Sequence, residues 1–389
     1  MDRELKRISE EIAEFIVRKK SRDGESSFND LALRLFECQY RLIKPYGRFC
    51  RLKGKTPDTV ENWKDIPSVE AEAFKRFFLF AGDRNEIAQT FRSSGTTQPG
   101  MSSLAHFSRE GLQLMDLAVE VNALEHLFHE GNGDMPSEKK TPSGIKIFVL
   151  SPTPSSAPHL IMVHGMQHLL DRFGGGEGRF YVGARGLEVD ALLSELTECS
   201  EKNIPAALMG SSFGFVHLFD EMEQRKLKLK LPKGSRLMDA GGYKGRSREI
   251  ARGEFVLWAS GMLGLEPERI VNLLGMTEMA SQIYDGPWIP KLKEERGSLP
   301  MKETPHWVRT QVMNPGRFED GDLEPVTQEN QPGLLRHLDL ANLERPMAIQ
   351  TEDVGIRRGS GFDVLRRVKG AEPRGCSLTL EEFSARGER

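Results

Sequence analysis

Cysteine is scarce: four residues in 389, at Cys38, Cys50, Cys199 and Cys376, with no CxxC pair. That count and spacing exclude a disulfide framework and argue against a structural zinc site. Long apolar runs are missing too, and nothing approaches the roughly 18–20 residues of a membrane span. The charged opening MDRELKRISEEIAEFIVRKK lacks the apolar segment of a secretory signal. The expected setting is therefore cytoplasmic and reducing, with thiols free rather than bridged. Nor is there an excess of one charge: 54 Lys and Arg against 57 Asp and Glu leave a net charge of −3. A dedicated nucleic-acid binder would carry a basic excess. A P-loop is absent as well. Gly95 and Gly100 have its spacing, but Met101 stands where the lysine must be. The one Gly-Lys-Thr, at 54–56, has Phe49 where the first glycine belongs. What remains, with 38% hydrophobic residues, is enough for a packed core in one large domain or two to three smaller ones.

Hydrophobic periodicity organises the chain. Leu5, Ile8, Ile12, Phe15 and Ile16 share a helical face, and Leu31, Leu33, Leu35 and Phe36 continue the pattern to Tyr40. Residues 1–50 are thus expected to form a helical cap. Pro57 and Pro67 punctuate the next stretch, which carries an aromatic cluster at Phe74, Phe77, Phe78 and Phe80. From about residue 90 the texture is α/β. Residues 145–150, 206–209, 269–274 and 346–350 read as strands; 108–129, 165–173, 189–203 and 212–225 read as helices. Such alternation predicts a sheet covered by helices on both faces, with ligands bound at the carboxyl ends of strands. The strictly alternating KLKLKL at 226–231 reads as a strand with its lysines outward. Residues 131–144 and 285–305 read as surface excursions.

Four pieces carry chemistry. In FRSSGTTQPG, at 91–100, the hydroxyls of Ser93, Ser94, Thr96 and Thr97 surround Gly95, so O–H and backbone N–H donors can converge on phosphate oxygens. Gly241-Gly242-Tyr243 follows apolar Leu237-Met238, which suits a strand end where the backbone approaches a flat ligand. In Gly275-Met276-Thr277-Glu278, Thr277 offers a hydroxyl to phosphate and Glu278 a hard oxygen to Mg²⁺. Finally, Thr351-Glu352-Asp353-Val354-Gly355 reads as a turn whose Asp353 carboxylate can accept both hydroxyls of a ribose. The histidine pairs His126/His129 and His164/His168 have no third ligand to make a metal site.

The order and spacing of these pieces resemble the adenylate-forming superfamily. More narrowly, the chain resembles the acyl-protein synthetases (long-chain-fatty-acid–protein ligases) of bacterial luminescence fatty-acid reductase complexes. The resemblance spans about residues 90–380 and rests on FRSSGTT (91–97), GGYKGRSRE (241–249), LLGMTEMASQIYD (273–285), HLDLANLERPMAIQTEDVG (337–355) and RRVKGAEPRGCSL (366–378). It implies an α/β fold built on the large N-terminal domain of an adenylate-forming enzyme, and a fatty acid activated by ATP with Mg²⁺. Ser93, Ser94, Gly95, Thr96 and Thr97 would hold the β- and γ-phosphates, Thr277 the α-phosphate and Glu278 the metal. Gly241, Gly242, Tyr243 and Met276 would contact the nucleotide, Asp353 its ribose, and Arg367 a phosphate or the ribose. Cys376 would take the acyl group and pass it to an acyl-reductase partner. The bare sequence agrees on that thiol: Arg366, Arg367, Lys369 and Arg374 surround it with positive charge, which favours thiolate. Cys38, Cys50 and Cys199 lie in apolar or helical stretches and read as structural.

The chain departs from the superfamily at its end. Only about 34 residues follow Gly355, where a C-terminal domain of roughly 100 residues would deliver a catalytic lysine. Lys369 is the nearest candidate by chemistry, and Leu365-Arg366-Arg367 stands where the family has Gly-Arg. The expected division is an adenylation domain over 1–355 and a short segment, 356–389, bearing Cys376. An acyl- or aryl-CoA ligase, and a non-catalytic nucleotide- or acyl-binding scaffold, are the alternatives.

Overall fold

The computed structural model describes residues 1–18, 24–93, 102–128, 144–176, 178–241, 247–286, 300–315 and 323–367. From the N-terminus these form α1 (Arg3–Val17), α2 (Gly24–Leu42), α3 (Lys44–Leu52), β1 (Val69–Glu70), α4 (Ala73–Arg76), β2 (Gln89–Arg92), β3 (Leu104–Phe107) and α5 (Arg109–His126). There follow β4 (Lys146–Pro152), α6 (Ile161–Phe173), β5 (Gly178–Gly183), β6 (Gly186–Leu187), α7 (Val189–Glu201), β7 (Ala206–Ser211), α8 (Ser212–Gln224), β8 (Arg236–Ala240) and α9 (Arg252–Leu263). Last come β9 (Ile270–Leu274), β10 (Ile283–Asp285), β11 (Lys302–Glu303), β12 (Val308–Met313), β13 (Gly333–Asp339), β14 (Ala348–Arg358) and β15 (Gly361–Arg367). Two compact units result. The first comprises Met1–Ala118, Met276–Ser281 and the chain from Lys302 on; the second comprises Val119–Gly275 and Gln282–Met301.

The second unit is built on parallel strands in the order β9-β8-β7-β4-β5, with β10 antiparallel beside β9 and β6 antiparallel beside β5. Ile147, Phe148, Val149, Leu208 and Leu237 are buried without alternation, as strands covered on both faces require. Leu192 and Leu196 of α7, Phe215 and Phe219 of α8 and Phe255 of α9 pack with Phe148, Leu208 and Leu237 in one core. Because β7, β8 and β9 run parallel, the segments beginning at Ser212, Gly241 and Gly275 leave the same edge of the sheet.

In the first unit, α1 is capped by Asp2, whose carboxylate accepts the N–H groups of Glu4 and Leu5. It buries the five residues the periodicity picked out: Leu5, Ile8, Ile12, Phe15 and Ile16. The sheet runs β12-β13-β14-β15-β11 with antiparallel neighbours, and β1 adds in parallel to the start of β14 through Val69 and Ile349. β2 and β3 form a separate antiparallel pair. Gly355 lies inside β14, and the chain continues through Arg358 before turning back as β15.

Three expectations need correction. Residues 226–231 are not a strand. Leu229 and Leu231 are buried, as the alternation implies, but their N–H groups donate to the carbonyls of Met262 and Leu263, each at 2.9 Å. Those carbonyls end α9, where intrahelical donors run out, so the segment caps a helix instead of joining a ladder. Residues 285–305 are not wholly an excursion: Asp285 ends β10, Lys302–Glu303 form β11, and 287–299 lie outside the described residues. The turn expected around Asp353 is the third, and its geometry bears on the site.

Candidate functional site

Thr277 and Glu278 occupy the centre of a tight turn in the first unit, closed by the N–H of Met279 donating to the carbonyl of Met276 at 3.2 Å. Both are only 8% exposed. A turn has little ladder to satisfy its backbone, so its remaining groups must bond elsewhere. The Glu278 carbonyl accepts from Asn342 Nδ2 at 2.9 Å, and the N–H of Ala280 donates to Asn342 Oδ1 at 2.8 Å. Ser281 donates its N–H and its hydroxyl to the two oxygens of Asp339, each at 2.7 Å. The Ser281 oxygen in turn accepts from Trp307 Nε1 at 2.9 Å.

Asp339 ends β13 and Asn342 sits in the short connection to β14, where the N–H of Ala341 donates to Asp339 Oδ1 and that of Asn342 to the Asp339 carbonyl, both at 3.0 Å. Burial pushes the Asp339 carboxyl above its ordinary range, against the pull of the Ser281 donors. Arg345 supplies the cation. Its Nη2 donates to Asn342 Oδ1 at 2.9 Å, its Nη1 to the His106 carbonyl at 3.1 Å, and its guanidinium lies 3.6 Å from the Phe107 ring centroid. Burial lowers the guanidinium to about 10, so it stays charged at neutral pH. From α2, Gln39 donates to the carbonyls of Asn342 at 2.7 Å and Arg345 at 2.5 Å and accepts the N–H of Met347 at 3.0 Å. The turn bearing Thr277 and Glu278 is thus anchored on a buried polar hub.

Asp353 lies in β14, not in a free turn. Between Leu334 and Arg336 of β13 the partner strand passes from Val354 to Gln350, so β14 carries extra residues there. This is a bulge, which bends a strand and re-aims side chains. It is sealed locally: Thr351 Oγ1 donates to the Leu335 carbonyl at 2.8 Å and accepts the N–H of Asp353 at 3.2 Å. The glycine-free TED reads as a turn because bulge and turn both need a local break in the ladder. Asp353 faces Arg367 in the β14–β15 register. Ser93 ends the β2–β3 hairpin, its N–H donating to the Ser103 carbonyl at 3.0 Å and its oxygen accepting the N–H of Ser103 at 2.9 Å. Ser94, Gly95, Thr96 and Thr97, which that hairpin brackets, lie outside the described residues, as do Gly242, Tyr243 and Cys376.

In the second unit Gly241 leaves β8 at φ 72°, a conformation that glycine adopts without strain. The Ser212 hydroxyl lies 2.9 Å from the Gly241 carbonyl and 2.8 Å from Asp239 Oδ2. Arg252, at the start of α9, donates to Asp239 Oδ1 at 2.6 Å and Asp285 Oδ2 at 3.1 Å. Asn272 completes the cluster, its Nδ2 donating to Asp239 Oδ2 at 2.9 Å and its N–H to Asp285 Oδ2 at 2.8 Å. Burial alone would lower the guanidinium's pKa, but Asp239 and Asp285 together raise it. The departure of the Gly241 turn is therefore fixed by ionic and hydrogen-bonded partners on three elements.

The sequence reading missed both clusters. Their signal was present as charged residues embedded in apolar runs, Asp339 and Arg345 in one and Asp239 in the other, because charge in such a run is buried only when paired. The remaining thiols agree with a structural role. Cys38, Cys50 and Cys199 are buried and unbridged, and burial pushes the Cys50 thiol up to about 12. His126 stacks on Tyr284 at 5.6 Å, and His168 Nε2 lies 3.9 Å from Glu120. Among the described residues no three His, Cys, Asp or Glu side chains gather as metal ligands, and no helix is long and apolar enough to cross a membrane.

The chain has relatives among known proteins. A long-chain-fatty-acid–luciferin-component ligase of Vibrio harveyi is 22% identical over 364 residues, covering 91% of this chain and 87% of the relative. Its counterpart in Aliivibrio fischeri is 20% identical over 362 residues, with coverage of 90% and 86%. Among solved structures, 2-hydroxyisobutyryl-CoA ligase with 2-HIB-AMP and CoA aligns at a TM-score of 0.59 and 14% identity, over 88% of this chain and 68% of that one. The same ligase with R3-HIB-AMP gives 0.58 at 13% identity, over 84% of this chain. This chain spans 63% of that protein's length, less than two thirds. At such identities the likeness is one of fold, the α/β fold of adenylate-forming enzymes. The acyl-protein synthetase model, LuxE, matches residues 11–384 and so takes in the Thr277–Glu278 turn, the hub that anchors it and the Asp353 bulge; the chain belongs to the LuxE acyl-protein synthetase family.

Proposed function

We propose that this protein is a long-chain-fatty-acid–protein ligase: it activates a fatty acid with ATP as an acyl-adenylate, takes the acyl group onto Cys376 as a thioester, and hands it to an acyl-reductase partner. The observation that carries the reading is the buried anchoring of the turn bearing Thr277 and Glu278. A carboxylate is a poor acyl donor until its oxygen becomes a good leaving group. One carboxylate oxygen attacks the α-phosphorus in line, the bond to the bridging oxygen breaks, and pyrophosphate leaves. The Cys376 thiolate then attacks the acyl carbonyl and AMP leaves with the former carboxylate oxygen. Positioning and charge neutralisation are the protein's share. Thr277 would hold the α-phosphate, residues 93–97 the terminal phosphates, Gly241–Tyr243 and Met276 the nucleotide, Asp353 the ribose, and Arg367 a phosphate or the ribose.

Magnesium fits this donor set. It binds through one or two carboxylates, with phosphate oxygens and water completing its shell, so it needs no all-protein cage. Glu278 would hold it, and the ion would neutralise phosphate charge.

Incubation with ATP, Mg²⁺ and a radiolabelled long-chain acid tests the proposal. Wild type should acquire a covalent acyl label that hydroxylamine removes. Cys376→Ala should release pyrophosphate in response to the acid yet stay unlabelled. An undiminished label on Cys376→Ala would remove that residue from the mechanism. Release of a coenzyme A ester in place of labelled protein would make the enzyme a coenzyme A ligase.

A further inference from the structure

We infer that Asn342 is a positioning residue for the Thr277–Glu278 turn, acting through the peptide groups on either side of Met279. The inference rests on the proposed role of that turn in holding the nucleotide phosphates. One carboxamide makes both contacts: Nδ2 donates to the Glu278 carbonyl at 2.9 Å and Oδ1 accepts from Ala280 at 2.8 Å. It thereby grips the exit of the turn that the Met279–Met276 bond closes.

The orientation of the carboxamide follows from chemistry. Arg345 has only donors, and its Nη2 lies 2.9 Å from one end of the Asn342 amide, so that end is oxygen. The other end faces two carbonyls, those of Glu278 at 2.9 Å and Pro346 at 3.3 Å, so it is nitrogen. A flipped amide would set donors against Arg345 and Ala280 and an acceptor against Glu278 and Pro346. Four partners thus define one orientation, and Gln39 fixes the backbone beneath it by accepting from Met347 and donating to the Asn342 carbonyl. The side chain is fully buried, so water cannot substitute for a lost contact.

Asn342→Asp isolates the positioning role. The substitution keeps the volume and the oxygen that meets Arg345 and Ala280. It replaces the donor by a second oxygen, which faces the Glu278 and Pro346 carbonyls without a hydrogen between them. The Arg345 contact gains charge while the Glu278 peptide loses its anchor.

Two readouts decide the matter. The first is the rise in unfolding temperature on adding saturating MgATP, which reports binding without turnover. The second is the KM for MgATP in acid-dependent pyrophosphate release. Asn342→Asp should show a smaller nucleotide-induced rise and a KM raised about tenfold. A merely structural role would lower the active fraction and kcat but leave KM unchanged. If Asn342→Asp does not fold, Arg345→Lys carries the test, because it keeps the charge but loses the planar fork that orients the amide; it should raise KM in the same direction. A wild type with no MgATP-dependent rise would overturn the nucleotide reading itself. A normal rise in wild type, matched by a folded variant with unchanged KM, would overturn the role of Asn342 alone.

Discussion

Arg252→Met should unfold the second unit at distinctly lower denaturant than wild type. The size of the effect follows from what the guanidinium leaves behind. Asp239 and Asp285 are 4% and 7% exposed at their side chains, and Arg252 contacts both, at 2.6 and 3.1 Å. Methionine fills similar space but brings no charge. Two buried carboxylates would then lose the guanidinium they share and keep the neutral donors of Ser212 and Asn272. Removing one partner of a buried pair costs about 3–5 kcal/mol, most of it the penalty on the charge left alone. That is a large share of the 5–15 kcal/mol by which a typical domain is stable. Adding Asp239→Asn to Arg252→Met removes one stranded charge and should recover part of the loss, a coupling of about 0.5–3 kcal/mol. Urea titrations of the three proteins, followed by circular dichroism at several protein concentrations, measure both quantities. A single variant within about 1 kcal/mol of wild type, or a double variant no more stable than the single, would refute the argument. The first result would mean that the cluster is solvated; the second would mean that Arg252 acts by packing on Phe255, over which its guanidinium lies at 5.5 Å.

Glu278→Gln should lower acid-dependent pyrophosphate release by orders of magnitude with no loss of folded protein, since the substitution leaves in place the backbone bonds to Asn342 that hold the turn; near-normal turnover would sink the assignment. Acid should weaken the first unit through His337, which is buried with Nδ1 2.8 Å from Thr310 Oγ1 and whose pKa burial lowers to about 4. The unfolded chain takes up a proton near pH 6.5 that the folded chain refuses until about pH 4, so stability falls by about 3 kcal/mol as pH drops through that window and the term is absent above it. In His337→Gln that pH-dependent loss should vanish between pH 6.5 and 4.5, and an unchanged slope in urea midpoints would refute it.

How much of this was legible depends on how local each signal is. The α1 face and the strands near 147, 207 and 272 are local patterns, and the sequence reading found them. KLKLKL has the period of a strand and the burial of one, yet its covering element is the end of α9, about thirty residues on. No period distinguishes a neighbouring strand from a helix terminus. The bulge at 351–353 was readable only as a break, because its definition lies in the pairing of Leu334 and Arg336 with β14. The hub was the largest omission. Gln39 and Asn342 are partners 303 residues apart, and a lone glutamine in an amphipathic helix gives no hint of such a contact. The expected boundary at 355 likewise falls inside β14, because a motif read as a linear string ends where its last recognised letter ends.

The candidate site residues with described surroundings differ in how their backbone is held, and the difference has chemical meaning. Thr277 and Glu278 sit on a turn that Asn342 holds through two main-chain groups, the Glu278 carbonyl and the Ala280 N–H, and that the Met279–Met276 bond closes. Ser93 is different. Its oxygen accepts the N–H of Ser103 and so helps to close the β2–β3 hairpin. A hydroxyl carries one donor and two acceptor positions, so that bond leaves the Ser93 hydrogen available to donate. A phosphate needs donors and offers only acceptors. Ser93 can therefore serve structure with its lone pair and a phosphate with its hydrogen, whereas an aspartate or asparagine oxygen in its place could close the hairpin but offer no hydroxyl. Electrostatic stabilisation is strongest when donors are oriented before charge develops, and in the first unit both the Ser93 hairpin and the Thr277 turn are fixed by contacts that leave the relevant donors unspent.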